Sequence, residues 1–142
     1  MARPARLPIG LVVAATAKAI DRAFDDALAA VGGSRVTWLI LMNLRRAPEA
    51  SQRELADAIG IRGATLTHHL NAMEQRGLLG RQRDPANRRV HRLTLTAIGD
   101  EAFASMLTTV GAFDRQLRRG LDDVALDQLD RALTTLRENV RP

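Results

Sequence analysis

Apolar residues recur every three or four positions along most of the chain, and this spacing predicts amphipathic helices. The first apolar stripe runs over residues 9–31 and stops at Gly32 and Gly33, residues of the kind that commonly end a helix. Ser34 can cap a second helix that ends near Pro48. The first third of the chain is therefore predicted to form two helices.

Two short helices with a tight turn between them are predicted in the middle of the chain. The sequence "SQRE", from Ser51 to Glu54, is a capping box, in which each of these two side chains accepts a backbone N–H of the other residue. The next helix carries Leu66, Leu70 and Met73 on one stripe and leaves polar residues off it. This pattern is the helix-turn-helix, whose second helix enters the DNA major groove.

The apolar period changes from helical to alternating after Gly77. Leu93 and Leu95 alternate with polar residues, which predicts a strand, and residues 78–83 can be its partner. The sequence "DPAN" at 84–87 has turn chemistry, because proline fixes φ and the Asp and Asn side chains form local turns. We therefore predict a hairpin with arginines at its tip, which makes the region a winged helix.

Two further helices are predicted to close the chain. Thr96 can cap the first, whose apolar stripe includes Ile98, Ala102, Met106 and Val110. The last, over residues 124–140, has the spacing of a coiled-coil seam, formed by Leu126, Leu129, Leu133, Leu136 and Val140. The predicted fold is mainly α with a small β-hairpin wing, as one domain over 1–142. A winged helix-turn-helix at 34–96 lies between dimerisation helices at 9–33 and 97–142. Long apolar stripes outside a compact core favour a second copy as partner, although both stripes could instead fold onto the same chain.

The charge of the chain is concentrated in its middle. Eight arginines and four acidic residues lie between Ser51 and Thr96, a net charge of +4 out of +5 for the whole sequence. A local positive excess is typical of a surface that binds a polyanion. The chain has no cysteine, which excludes disulfides and thiolate metal sites, and it has no HExxH or GxSxG motif. We expect no enzyme, no cofactor and no metal site.

Residues 1–19 combine basic, apolar and small residues, as a secretory signal does. Pro8 and Gly10 interrupt the apolar run, Lys18 charges the cleavage zone, and the helical pattern continues beyond it. No apolar run approaches the roughly 18 residues of a membrane span. We therefore expect a cytoplasmic protein without membrane association.

The order of elements resembles the multiple antibiotic resistance regulator (MarR) family of bacterial transcription factors. The resemblance rests on "QRELADAIGI", "ATLTHHLNAMEQRGLL", "RDPANRRVHRLTLT" and "LTAIG", which together cover about residues 51–103. It implies a homodimer with interlocking termini, a wing that reaches the minor groove, and a small phenolic or anionic molecule that weakens DNA binding. Family members often carry Asp before Arg-Arg in the wing to orient an arginine, and here Asn87 takes that position.

The candidate site residues fall into four groups. The recognition-helix candidates are Arg62, Thr65, Thr67, His68 and Asn71, and the wing candidates are Arg83, Asn87, Arg88 and Arg89. The phosphate candidates are Ser51, Gln52 and Arg53, and the ligand-pocket candidates are Trp38 and Met42. The ordinary alternatives are a solvated helix face, a solvated loop, a simple helix cap and core packing. The adjacent His68 and His69 point about 100° apart on a helix and cannot easily share a metal ion.

The function that these features predict is sequence-specific binding of double-stranded DNA at a palindromic operator. The two-fold dimer matches such a site, because its recognition helices would lie about 34 Å apart, in successive major grooves. We expect a repressor that a small aromatic or anionic ligand relieves. The alternative is a winged-helix module that binds another protein and lacks specific DNA binding.

Overall fold

The computed structural model describes residues 6–87, 89 and 91–142, which form six helices and one two-stranded sheet. In chain order the elements are α1 (Ile9–Ala29), α2 (Arg35–Arg46), α3 (Gln52–Ile59), α4 (Gly63–Gln75), β1 (Leu79–Arg83), β2 (His91–Leu95), α5 (Ala97–Leu117) and α6 (Asp123–Asn139). The predicted class, mainly α with a small β hairpin, is confirmed. The chain divides into a first unit that ends at Val110 and a second unit, Gly111–Pro142. None of the helices described is long and apolar enough to cross a membrane.

The predicted caps of α2 and α3 are present. Ser34 Oγ accepts a hydrogen bond from the Thr37 N–H at 3.1 Å, at the start of α2. At the start of α3, Ser51 Oγ accepts from the Glu54 N–H at 3.1 Å, and the Glu54 carboxylate accepts from the Ser51 N–H at 2.7 Å. Both halves of the capping box therefore satisfy N–H groups that the helix itself leaves without partners.

The end of α1 lies slightly before the predicted one. The helix stops at Ala29, and the Gly33 N–H donates to the Leu28 carbonyl at 2.9 Å. Gly32 has a φ of 75°, a left-handed conformation that strains any residue with a Cβ. The glycine pair does end the helix, but the turn that it forms takes up residues 30 and 31 as well.

The core of the first unit is aliphatic and packs the two short helices against α2. Leu66, Leu70 and Met73 on the inner face of α4 are at most 2% exposed, which confirms the predicted stripe. They share one buried cluster with Ile40 of α2 and Leu55 of α3. Because this core holds the inner face of α4, the opposite face of that helix is left open to solvent.

The inner face of α5 is the predicted one at Ala102, Met106 and Val110, and it differs at Ile98. Its cap is as predicted, with Thr96 Oγ1 accepting from the Gly99 N–H at 3.0 Å, and Met106 is buried. Ile98, which the apolar pattern placed inside, is 55% exposed. A Cβ at Gly99 would collide with the backbone just before β1, and Phe103, one turn further on, packs against the core. Gly99, which an apolar pattern does not register, therefore takes the buried position at the start of the helix, and the neighbouring Ile98 points to solvent.

The wing is the β1–β2 hairpin together with the residues that connect its strands. The strands pair in antiparallel register, from Leu79 opposite Leu95 to Arg83 opposite His91. Leu79 and Leu93 are buried, so the base of the wing belongs to the core. The predicted hairpin is confirmed.

The second unit contains the end of α5 and the whole of α6. Asp122 Oδ1 accepts from the Ala125 N–H at 2.8 Å and caps α6. No residue of α6 is buried, and Val124 and Leu129 are 64% and 47% exposed. Of the apolar residues predicted for the last helix, Leu129, Leu133 and Val140 are open to solvent in the single chain, and Leu126 and Leu136 are half-buried.

Candidate nucleic-acid interface

The outer face of α4 carries the predicted base-contacting residues. Thr65, Thr67, His68 and Asn71 are all exposed, because leucine and methionine side chains occupy the inner face. His69 is half-buried, as predicted for a residue that points partly inward. Four polar side chains therefore follow one another around the open half of this helix.

Thr67 already uses its hydroxyl proton inside the helix. Its Oγ1 donates to the Gly63 carbonyl at 3.0 Å. The oxygen lone pairs and the methyl group remain for an outside contact. The side chain can therefore accept a hydrogen bond from an adenine or cytosine amino group, or pack against a thymine methyl.

A groove of about 540 Å³ lies between α3 and α4. Gln52 and Arg53 line it from α3, and Arg62 and Thr67 line it from the α4 side. Asp57 is also on its wall and lowers the local positive charge. The groove brings two of the predicted phosphate contacts together with two of the recognition-helix candidates.

Both α3 and α4 begin at this groove, where helix N-termini favour anions. At α3, the capping box occupies the N–H groups of Ser51 and Glu54 and adds a carboxylate. Ser51 therefore acts as the helix cap, and its hydroxyl proton remains available to donate to a phosphate oxygen. α4 has no side-chain cap, so the N–H groups of its first turn have no partner within the helix. The start of α4 is the more open of the two to a phosphate oxygen.

The turn of the wing is built by two side chains of the "DPAN" sequence. Asp84 Oδ1 accepts from the Ala86 N–H at 2.8 Å, and the Asp84 carbonyl accepts from the Asn87 N–H at 3.2 Å. Asn87 Oδ1 accepts from the backbone N–H of Arg89 at 3.2 Å. Asn87 therefore makes the neutral hydrogen bond to Arg89 that the sequence allowed, but it holds the backbone and not the guanidinium.

The structure describes two of the three predicted wing arginines. Arg83 and Arg89 are exposed, so both guanidinium groups are accessible to a ligand. Arg88 lies outside the described residues, and its role stays a prediction.

Two other arginines of the hairpin are held within the protein. Arg92 is paired with Asp84 at 3.3 Å and with Glu49 at 3.1 Å. Arg81 is paired with Glu74 at 3.5 Å, and its buried Nε has no hydrogen-bond partner in the described part of the chain. Both guanidinium groups therefore face acidic side chains of the chain itself. The sequence pattern could not identify Glu49 as the partner of Arg92, because 42 positions lie between these two residues.

The carboxyl of Asp84 is kept ionised by its neighbours. The N–H of Ala86 and then the guanidinium of Arg92 hold the pKa of Asp84 below its ordinary value, and they outweigh the opposite effect of partial desolvation. The negative charge that attracts Arg92 therefore persists to a lower pH than that of an ordinary aspartate.

The candidate ligand-pocket residues lie in or beside the core. Trp38 is 6% exposed and stacks on Phe103, with ring centroids 4.8 Å apart and planes at 8°. The Arg45 guanidinium lies over the Phe103 ring, 4.6 Å from its centroid. Met42 is half-buried against the same cluster. Core packing, the ordinary alternative, accounts for both candidates, and a ligand contact by either stays a prediction.

The fold and the open face of α4 define a winged helix-turn-helix protein. Residues 34–91 match the model of the MarR family. The solved structure of the transcriptional repressor CouR bound to a 23-mer DNA duplex is 27% identical, with a TM-score of 0.81 over 94% of this chain and 93% of that one. The transcriptional regulator PA3341 is 28% identical, with a TM-score of 0.79 over 94% of this chain and 98% of that one.

A third similar structure is CouR from Rhodococcus jostii RHA1 bound to p-coumaroyl-CoA. It is 22% identical, with a TM-score of 0.76 over 90% of each chain, and at this identity it supports the fold alone. The match to the family model and the structural matches confirm the resemblance seen in the sequence. Residues 34–91 are therefore similar to the MarR family of transcriptional regulators, and 94% of the chain shares the fold of the DNA-bound repressor CouR.

Proposed function

We propose that the protein is a homodimer that binds a palindromic operator sequence-specifically, represses transcription there, and is released by a small aromatic or anionic ligand. The observation that carries this proposal is the open polar face of α4 beside the groove at the start of α3 and α4. A helix presented in this way fits the major groove, while the neighbouring cations and N–H groups fit the phosphates.

The contact that we propose for each side chain follows from its chemistry. Thr65, Thr67, His68 and Asn71 read base edges, with Arg62 at the start of α4 contacting phosphate or base. Gln52 and Arg53, with the Ser51 hydroxyl, bind phosphate. In the wing, Arg83 and the Arg88-Arg89 pair approach the minor groove, where narrow A·T-rich sequence attracts arginine.

A second copy of the chain is the partner that fits the exposed apolar residues of the terminal helices. In α1, Ile9 and Leu11 are 60% and 59% exposed, although only polar residues are expected on a solvated face. In α6, Val124 and Leu129 are similarly open. We assign residues 9–33 and 97–142 to dimerisation and residues 34–96 to DNA binding, within a single functional domain.

Light scattering after size exclusion tests the dimer. The chain should elute at twice its 15.5 kDa mass, and Leu129→Glu should shift it toward the monomer. The control is Ala58→Glu, at an exposed apolar position of α3 outside the dimerisation segments, which should leave the mass unchanged. A monomeric wild-type protein at micromolar concentration would contradict the assignment.

The effector site that we propose lies beneath the wing. A cavity of 390 Å³ there is lined by Leu44 and Leu93, and Arg45 and Arg92 lie on its wall. Its volume is within the usual range for small-molecule sites, and its leucine side chains suit an apolar or aromatic body. Among the similar structures, one CouR is bound to a DNA duplex and the CouR of Rhodococcus jostii RHA1 is bound to p-coumaroyl-CoA, which supports an aromatic effector for this fold.

A footprint on the DNA upstream of the protein's own gene tests the function. A protected palindrome that is lost on adding aromatic acids supports a ligand-relieved repressor. If the protein instead elutes from lysate with a different protein, and nucleic acid does not compete for that partner, the interaction-module alternative is correct.

A further inference from the structure

Arg92 joins two acids that come from different parts of the fold. It lies on β2, and its Nη1 is 3.1 Å from the carboxylate of Glu49, in the loop between α2 and α3. Its Nε is 3.3 Å from the carboxylate of Asp84, at the turn of the wing. We call these three residues the clamp. It connects the wing to the loop that leads into the helix-turn-helix.

The clamp reaches the tip of the wing through Asp84, whose oxygens are all engaged. Oδ2 pairs with Arg92, Oδ1 accepts from the Ala86 N–H, and the carbonyl accepts from the Asn87 N–H. Asn87 in turn accepts from the backbone N–H of Arg89. The position of Asp84 therefore determines the backbone that presents Arg89.

Burial within the clamp is uneven in a way that favours a positioning role. The Asp84 side chain is 18% exposed, while Arg92 and Glu49 are 50% and 75% exposed. The most enclosed member is the one that shapes the turn. An arginine already facing two carboxylates has little positive potential left for a phosphate.

We propose that Arg92 is a positioning residue, which holds the turn of the wing against the α2–α3 loop so that Arg89 is presented to DNA. Arg92 does not itself contact phosphate. This inference rests on the proposed function, because it assigns a role within the same DNA-binding surface.

The direction in which DNA affinity changes when an acid is removed distinguishes the clamp from simple electrostatic repulsion. Glu49 and Asp84 are negative charges in the basic segment, so as free charges they repel DNA phosphates. Removing either one should then tighten binding. If they act through Arg92, removing either one should loosen the wing and weaken binding instead.

The experiment measures operator affinity by fluorescence anisotropy for Glu49→Gln, Asp84→Asn and Arg92→Gln. Asp84→Asn keeps an oxygen that can accept from Ala86 and removes only the charge. We expect each variant to weaken binding about two- to fivefold, the range of an exposed ion pair. The matched control is Glu101→Gln, at an exposed acid of α5 outside the clamp, which should leave binding unchanged or slightly tighter. Tighter binding by Glu49→Gln and Asp84→Asn would overturn the clamp.

The salt dependence of binding distinguishes the two roles of Arg92. Loss of a phosphate contact lowers the slope of log K against log salt by about one, whereas loss of a positioning residue leaves the slope unchanged. A slope that falls by one in Arg92→Gln would make Arg92 a phosphate contact. The double variant Glu49→Gln/Arg92→Gln should bind no more weakly than Arg92→Gln alone, because the same interaction is removed only once.

A measurement without DNA keeps this test independent of the proposed function. Amide hydrogen exchange at Ala86 and Asn87 should become about two- to fivefold faster in Glu49→Gln and Arg92→Gln, and should not change in Glu101→Gln. Unchanged exchange at both amides overturns the clamp even if DNA binding is normal. Faster exchange in a protein that binds no operator supports the clamp and refutes the proposed function.

Discussion

Substitutions of Thr67 separate the two ways in which its side chain can contact a base. Thr67→Val keeps the branched shape and a methyl group but removes the oxygen, and Thr67→Ser keeps the oxygen but removes the methyl group. Since the hydroxyl proton donates to Gly63 at 3.0 Å, the oxygen can only accept from a base. An oxygen contact therefore selects adenine or cytosine, and a methyl contact selects thymine.

The expected magnitude follows from the place of Thr67 on the helix. Thr67 is exposed, and the Gly63 carbonyl keeps its backbone partner in the α-helix, so unfolding free energy should change by no more than about 0.5 kcal/mol. Loss of the base contact should cost about 1–3 kcal/mol at one base pair. This corresponds to a rise in Kd of roughly five- to 150-fold for the preferred base.

Selection from a random DNA library, followed by anisotropy on the selected sites, measures the effect. An oxygen contact predicts that Thr67→Val loses the preference at one position and Thr67→Ser keeps it, and a methyl contact predicts the reverse. Gln75→Ala, at the exposed end of α4, should return the wild-type motif. If both Thr67 variants also return the wild-type motif, Thr67 contacts no base and the proposed docking of α4 is wrong.

Three other changes test separate parts of the structure. Gly99→Ala should destabilise the protein by about 1–3 kcal/mol in chemical denaturation, since its Cβ would collide with backbone, while Gly10→Ala, in open space on α1, should stabilise it by about 0.5–1 kcal/mol. Equal effects would refute the close packing of α5. Arg89→Ala should weaken binding more at A·T-flanked than at G·C-flanked operators, and equal losses would exclude minor-groove insertion. Because the folded-state pKa of Asp84 is lowered, its charge stabilises the protein above its ordinary pKa. The stability advantage of wild type over Asp84→Asn should therefore be constant from about pH 8 to about pH 5 and should shrink below about pH 4. An advantage that does not change with pH would show that the pKa is unshifted.

Features that depend on neighbouring residues were predictable from the sequence. The capping box at Ser51 and Glu54 lies within four positions, and its geometry follows from the helix start itself. The turn at Asp84 to Asn87 likewise depends on local side-chain hydrogen bonds. The outer face of α4 was predictable because the helical period fixes which residues oppose the apolar stripe.

Features that depend on distant parts of the chain were not predictable. The buried face of α5 is set by Gly99 against the backbone before β1, and a glycine adds nothing to an apolar pattern. Phe103, which lies next to the predicted stripe and not on it, was missed although it stacks on Trp38. The pairing of Arg92 with Glu49 arises only when the loop after α2 meets β2. Ion pairs between distant residues leave no periodic pattern in the sequence. The sequence therefore did not show that arginines of the hairpin are paired with acidic side chains.

The salt dependence of operator binding tests the central claim, which is that this surface binds DNA, most directly. With six to ten phosphate contacts, affinity should fall about 10³- to 10⁵-fold between roughly 50 and 200 mM salt. Arg53→Gln and Arg62→Gln, which remove charges that line the groove, should each lower the slope by about one. An affinity that is flat across this range, with slopes unchanged in both variants, would contradict the account.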